Sequence, residues 1–81
     1  MCAGVVEKSL YSVQYQQLCA VLRDLRRAAG LTQVEVARRL DVPQSFVSKY
    51  ESGERRLDVI ELRHVAGAIG TTLETVFSSL T

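Results

Sequence analysis

The stretch from residue 33 to residue 52, QVEVARRLDVPQSFVSKYES, decides how this chain folds. Small and apolar residues recur in it where two short helices would have to cross at close range. Ala37 lies at the predicted crossing, Asp41 at the turn, and Val47 and Tyr50 on the inward face. This spacing predicts a helix-turn-helix, in which two helices are joined by a tight turn.

Residues typical of helix starts and helix ends lie at the boundaries of these two helices. Thr32 followed three residues later by Glu35 has the pattern of a capping box, which predicts the start of the first helix of the pair. Pro43 suits the first turn of the next helix, because no backbone donor is needed there, and Gly53 is a suitable end. The two helices therefore have boundaries that the sequence itself specifies.

Three further helices are predicted around the pair. The first is expected from near Ser12 to Ala29, because leucines and alanines recur there at three- and four-residue spacing. The fourth follows a second capping box, Asp58 with Glu61, and Thr72 caps a fifth. The residues of the fourth helix predicted to face inward are Val59, Leu62, Val65, Ala66 and Ile69.

Length and composition fit one small globular domain. The chain has 81 residues, of which 47% are apolar and 23% charged, both ordinary fractions. We expect an all-α, compact five-helix domain over residues 12–81, preceded by a short N-terminal extension over residues 1–11. No apolar stretch approaches the roughly 20 residues that span a bilayer, and the first residues do not resemble a secretion signal, so a cytoplasmic location is expected.

The chain is poorly equipped for metal binding or catalysis. Cys2, Cys19 and His64 cannot supply the four ligands of a closed zinc site. No serine or cysteine is placed by the sequence for activation by His64, and there is no glycine-rich phosphate loop. We expect no enzyme activity, no metal, no cofactor and no small-molecule ligand, with Cys19 packing as a reduced thiol and Cys2 in a loose terminus.

Charge is unevenly distributed, although the net charge is only +1. Residues 23–56 contain eight basic side chains and five acidic ones, a net of +3 that leaves −2 for the rest of the chain. Such asymmetry orients a protein with one face toward phosphates. The alternative is a mixed, solvated surface with no binding role.

Residues 22–77 resemble the lambda-repressor-like DNA-binding domain of the Cro and phage-repressor type, the Xre family. The segments that carry the resemblance are LRDLRRAAGLTQ (22–33), VARRLDVPQSFVSKYESGERR (36–56) and LDVIELRHVAGAIGTTLETVF (57–77). The resemblance implies five helices, a third helix that enters the DNA major groove, and usually a two-fold symmetric dimer. Asp41 departs from the family pattern, which commonly has glycine at this turn, and we expect mild strain there.

Base readout is expected from the start of the third helix. Gln44 and Ser45 lie at its start, and Lys49 lies one turn further along the same face. A glutamine amide suits adenine, whereas lysine suits guanine acceptors or a phosphate. For Phe46, contact with a thymine methyl, packing against Val34 and shielding of the helix pair all remain open.

A second set of residues is expected on the DNA backbone: Gln33, Ser48, Arg55 and Arg56. Gln33 begins the second helix, where free amides and the helix dipole favour a phosphate oxygen. The resemblance also implies that Gln33 supports Gln44. Arg38 and Arg39 are better explained as a solvated helix face.

Two structural roles complete the set. The resemblance implies an ion pair between Arg26 and Glu51 that joins the first helix to the end of the third. The apolar residues of LETVFSSL have little intramolecular surface to cover, which predicts a dimer interface. Its predicted members are Leu73, Val76, Phe77 and Leu80. The alternative is that Phe77 folds back onto the core of its own domain.

These residues predict a transcriptional regulator, expected to be a repressor, that binds double-stranded DNA. A homodimer would place two copies of the third helix about 34 Å apart, so the operator should be an inverted repeat. The alternatives are an antitoxin, which would also bind a protein partner, and a controller of restriction and modification genes. Little chain lies outside the motif for gripping a partner, which favours the autonomous regulator.

Overall fold

The computed structural model describes residues 3–80, with side chains described for residues 13–80. Within that range the chain forms five α-helices and no strand. They are α1 (Ala3–Ala28), α2 (Gln33–Leu40), α3 (Gln44–Ser52), α4 (Val59–Ile69) and α5 (Leu73–Ser78). The predicted all-α, five-helix architecture is confirmed. None of these helices combines the length and the apolar character needed to cross a membrane.

Helix α1 begins earlier than the sequence predicted. The predicted start near Ser12 is wrong, because the helix already begins at Ala3. The sequence between these two residues contains no proline, and its only glycine, Gly4, lies in the first turn, so nothing in it ends a helix. A division of the chain at residue 12 stays a prediction, and Cys2 lies outside the described residues.

Both predicted capping boxes are present. The Thr32 hydroxyl accepts a hydrogen bond from the Glu35 amide at 3.1 Å, and the Glu35 carboxylate accepts one from the Thr32 amide at 3.0 Å. Asp58 and Glu61 make the same reciprocal pair at 2.7 and 3.0 Å. The starts of α2 and α4 are therefore fixed by residues that the sequence identifies.

The turn between α2 and α3 is left-handed at Asp41, with φ 58° and ψ 47°. It is the one non-glycine residue with positive φ in the described range. The Asp41 and Val42 amides donate to the Arg38 and Ala37 carbonyls at 3.2 and 3.0 Å, which satisfies the end of α2. The turn thus has the conformation expected for aspartate in place of glycine.

The core lies behind α3 and takes residues from every helix. Its members are Leu22, Val36, Ala37, Val47, Tyr50, Leu62, Val65, Ala66, Ile69 and Val76. Cys19 is buried as a free thiol. Val59 was predicted to face inward, which is wrong, since 61% of it is exposed. It is the first residue of α4, and periodicity does not tell whether a helix end reaches beyond the body against which it packs.

Candidate nucleic-acid interface

Helix α3 turns one face to the core and the other to solvent. Val47 and Tyr50 are fully buried. The exposed side chains of α3 are Gln44, Ser45, Ser48, Lys49 and Ser52. An exposed helix that carries an amide, hydroxyls and an ammonium group on a fixed scaffold has the size and the hydrogen-bonding groups to read a major groove.

A buried ion pair fixes the end of α3 to α1. Arg26 donates from Nε to Glu51 Oε2 at 2.7 Å and from Nη2 to Glu51 Oε1 at 3.0 Å, and both residues are 7% exposed. Arg26 Nη1 also donates to the Leu31 carbonyl at 2.8 Å. The hydrogen bonds to Glu51 raise the pKa of Arg26. Loss of either partner would leave a buried charge unpaired.

Hydrogen bonds continue from this ion pair to the start of α3. Gln33 Nε2 donates to Glu51 Oε1 at 3.0 Å, and Gln44 Nε2 donates to Gln33 Oε1 at 3.3 Å. A carboxylate only accepts, so Gln33 must turn its amino group toward Glu51 and its oxygen toward Gln44. Gln44 then retains an acceptor oxygen and a second N–H, the combination that matches the major-groove edge of adenine.

Phe46 packs inward. Its ring meets Tyr50 edge-on, with centroids 5.9 Å apart, and lies 4.5 Å from the guanidinium carbon of Arg55. Arg55 Nη2 donates to Glu61 Oε2 at 2.5 Å. These contacts are with α3 itself and with the segment that follows it, and contact of Phe46 with a thymine methyl stays a prediction. The Arg55 guanidinium, predicted on the DNA backbone, is engaged within the protein.

The segment after α3 is held by a residue that the sequence did not identify, Tyr15 of α1. The Tyr15 hydroxyl donates to the Arg55 carbonyl at 2.8 Å and accepts from the Leu57 amide at 3.1 Å. The Arg56 guanidinium carbon lies 4.6 Å from the centroid of the Tyr15 ring. Burial raises the pKa of Tyr15. The only sequence signal was an aromatic residue among glutamines, QYQQ.

The apolar residues near the C-terminal end are not equally accessible. Phe77 is 46% exposed, whereas Leu73 and Leu80 are partly buried. Val76 has no exposed surface, because it belongs to the domain core. Its prediction as a dimer contact therefore needs correction, since a residue already buried in the monomer has no area left to cover.

The remaining predicted surface residues differ in their contacts. Arg38 and Arg39 are both exposed, but Arg39 Nη1 donates to the Ala68 carbonyl at 2.9 Å and so joins α2 to α4. His64 lies on the exposed side of α4. Among the side chains described, those of residues 13–80, no three histidine, cysteine, aspartate or glutamate residues are grouped to hold a metal ion.

Comparison with known proteins relates this geometry to a family. A family model described as helix-turn-helix matches residues 22–76. A solved structure of an XRE-family like protein from Pseudomonas syringae pv. tomato str. DC3000 is 48% identical, covers 93% of this chain and 92% of that one, and superposes with a TM-score of 0.88.

Two curated relatives are also similar. The uncharacterized HTH-type transcriptional regulator y4dJ of Sinorhizobium fredii (strain NBRC 101917 / NGR234) is 44% identical over 48 residues, which cover 59% of this chain and 62% of the relative. Control protein C.MunI of Mycoplasma sp is 28% identical over 60 residues, which cover 73% of this chain and 81% of the relative. The segment matched by the family model begins at Leu22, so Tyr15 lies outside it.

Proposed function

This chain belongs to the helix-turn-helix family of Cro and lambda-repressor-like, Xre-type DNA-binding transcriptional regulators, and from that membership we propose that it represses transcription by binding one operator as a homodimer. The observation that carries the proposal is the fixed α3, with Val47 and Tyr50 buried behind it and polar side chains on its outer face. Helix α3 enters the major groove with that face toward the bases.

We assign base readout to Gln44, Ser45 and Lys49. Gln44 contributes an acceptor and a donor whose orientation follows from its hydrogen bond to Gln33. Lys49 is exposed one turn further along and suits guanine acceptors. The three residues together read only a few base pairs, so a second copy is needed for specific affinity.

Backbone contacts come from Gln33, Ser48 and Arg56. Gln33 opens α2, where unpaired backbone amides and the helix dipole favour a phosphate oxygen. Arg56 is exposed, whereas the Arg55 guanidinium already contacts Glu61 and Phe46. We therefore assign the phosphate contact in this segment to Arg56 and give Arg55 a supporting role.

The homodimer forms through α5 in this proposal. Phe77 supplies the exposed apolar surface, with Leu73 and Leu80 at its edges. Two-fold symmetry sets the two α3 helices in successive major grooves, about 34 Å apart, so the operator is an inverted repeat. Phe77→Glu should convert the dimer to a monomer in sedimentation experiments, and a wild-type monomer at micromolar concentration would contradict the interface.

The decisive experiment is selection of bound duplexes from a random pool. The expected product is an inverted repeat whose half-sites are centred one helical turn apart. The same selection with Gln44→Ala should lose preference at one position in each half-site and keep the symmetry and spacing. Recovery of unrelated sequences by the wild-type protein would refute sequence-specific binding.

A second candidate function is control of restriction and modification genes. The likeness to control protein C.MunI favours it over other uses of the same domain. The selected operator distinguishes the two: under this candidate it lies upstream of neighbouring restriction and methylation genes. An operator located away from such genes would exclude this candidate and leave the proposal of a general transcriptional regulator.

A further inference from the structure

We propose that Tyr15 is a positioning residue for DNA binding, which holds residues 53–58 so that Arg56 faces the phosphate backbone. These residues, here called the basic loop, connect α3 to α4. The inference rests on the proposed DNA-binding function and assigns to α1 a part in it. Tyr15 itself need not touch DNA.

The hydroxyl of Tyr15 fixes the main chain on both sides of Arg56. It donates to the carbonyl of Arg55, the preceding residue, at 2.8 Å. It accepts from the amide of Leu57, the following residue, at 3.1 Å. A rotation of the peptide units flanking Arg56 would break one of these bonds, so a single side chain restricts the loop where its exposed cation is attached.

The ring of Tyr15 restricts the side chain of Arg56 as well. The guanidinium carbon lies 4.6 Å from the ring centroid, within the range of a cation–π contact. Stacking occupies the flat face of a guanidinium and leaves the N–H donors at its edge directed outward. Those edge donors match the geometry of phosphate oxygens, so stacking prepares Arg56 for a phosphate contact.

Other contacts relate the basic loop to α3. The Arg55 amide donates to the Lys49 carbonyl at 3.1 Å, which ties the loop to the helix proposed to read bases. The Arg55 guanidinium turns away to Glu61 and stacks on Phe46. The two adjacent arginines thus have different partners, and Tyr15 and Lys49 together hold Arg56 at a fixed distance from α3.

The family segment does not include this arrangement. The matched residues are 22–76, and Tyr15 precedes them. Its hydrogen bond to Arg55 spans 40 residues of sequence. The family model therefore does not account for Tyr15, whose contribution is argued from its own contacts with residues 55–57.

The test is a double-mutant cycle measured on the selected operator duplex at several salt concentrations, with the wild type, Tyr15→Phe, Arg56→Ala and the double variant. Tyr15→Phe should weaken binding about fivefold on every duplex, because a phosphate contact carries no sequence information. Arg56→Ala should reduce the slope of log affinity against log salt by about 1. In the double variant, Tyr15→Phe should add almost nothing to the effect of Arg56→Ala.

Controls separate positioning from general stability. Gln16→Ala changes an exposed neighbour on α1 and should leave affinity and salt slope unaltered. Hydrogen exchange of the Leu57 amide should accelerate in Tyr15→Phe, which verifies that the bond was lost. Arg56→Lys keeps the charge without the planar group, so its affinity should lie between those of the wild type and Arg56→Ala.

Three outcomes would overturn the inference while leaving sequence-specific binding intact. One is wild-type affinity in Tyr15→Phe despite faster exchange at Leu57. Another is full additivity of Tyr15→Phe and Arg56→Ala. A third, which needs no change at Tyr15, is wild-type affinity and salt slope in Arg56→Ala. Failure of the wild-type protein to discriminate among duplexes would instead refute the proposed function, and the inference with it.

Discussion

Glu51 controls the orientation of polar groups that lie well outside its own buried site. It accepts hydrogen bonds from Arg26 and from Gln33, and Gln33 in turn accepts from Gln44. Because a carboxylate cannot donate, this sequence of bonds has only one direction. The negative charge of Glu51 thereby determines which way the Gln44 amide, proposed to read a base, is oriented.

Glu51→Gln tests this control. The variant keeps the shape of the side chain but leaves the Arg26 guanidinium without its counter-charge, so the free energy of unfolding should fall by about 3 kcal/mol. An amide at position 51 can also donate, which permits Gln33 and Gln44 to reverse. Urea unfolding measures the first effect, and binding to duplexes altered at the adenine position measures the second.

The exposed Glu54 supplies the matched control, because Glu54→Gln removes the same charge three residues away at the surface. Its stability and base preference should match those of the wild type. Equal behaviour of the two variants would contradict a directing role for Glu51.

Gln44→Ala is the corresponding test at the outer end of the hydrogen bonds. Loss of a bidentate contact should cost about 1 to 3 kcal/mol at one base pair and relax the preference there. Affinities for duplexes permuted at each position would show it. Gln14→Ala, an exposed glutamine on α1, is the control, and a uniform loss across all duplexes would mean that Gln44 contacts the backbone instead.

Sequence reasoning identified most of these residues but not their supports. The pairing of Arg26 with Glu51 and of Gln33 with Gln44 followed from the family resemblance. The role of Tyr15 was not predicted, because its contacts join α1 to residues 40 and 42 positions later in the sequence. No local sequence pattern indicates a contact over such a separation. The contact of Arg55 with Glu61 spans only six residues, and it was missed because Glu61 was already explained as a cap.

At the scale of elements, helix ends with local chemical signals were predictable and other boundaries were not. Thr32 and Asp58 act through residues three positions away, so their caps are written in the sequence. The start of α1 carries no such signal, and the helix extends to Ala3. Val59 shows the related difficulty that a periodic pattern does not reveal where packing stops.

The turn between α2 and α3 offers a test at this scale. Asp41 has φ 58° and lies at the negative end of the α2 dipole. Asp41→Gly removes left-handed strain of about 1 to 2 kcal/mol, and the gain in unfolded-chain freedom offsets about 0.4 to 1 kcal/mol. We expect a net stabilisation of about 0 to 1.6 kcal/mol, seen as a higher urea midpoint with an unchanged m-value.

Asp41→Asn separates charge from backbone strain. It keeps the side-chain shape and removes the unfavourable interaction with the helix dipole, worth about 0.3 to 1 kcal/mol. The variant should therefore be more stable than the wild type at low salt and lose the advantage at high salt. Destabilisation by both substitutions would mean that the carboxylate of Asp41 has a favourable contact.

At the scale of the whole molecule, burial of protonated groups predicts how stability depends on pH. Burial raises the pKa of Cys19 above its ordinary value of 9.0, and the pKa values of Tyr15 and Tyr50 above 10.0. Each group therefore keeps its proton to a higher pH in the folded state than in the unfolded state. Stability from this source is complete below pH 9 and is lost as pH rises through the raised values.

We expect the free energy of unfolding to fall from about pH 9 and more steeply above about pH 10, by at most about 1.4 kcal/mol per pH unit for each group that stays protonated in the folded state. Tyr50→Phe is the informative variant, because the Tyr50 hydroxyl is buried without a hydrogen-bond partner in the described part of the chain. It should be about 1 kcal/mol more stable at pH 7 and less sensitive to alkali. A flat profile to pH 11 would contradict this account.

The single direction of the hydrogen bonds that begin at Glu51 also limits how a new target preference can be engineered. A side chain introduced at position 44 lies beside the oxygen of Gln33, and only one that carries a donor can keep this exposed hydrogen bond. Asparagine or lysine satisfies that condition, whereas a carboxylate at position 44 would place an acceptor against the acceptor oxygen of Gln33. Libraries that vary position 44 alone will therefore sample few targets, and joint randomisation of positions 33 and 44 is the productive design.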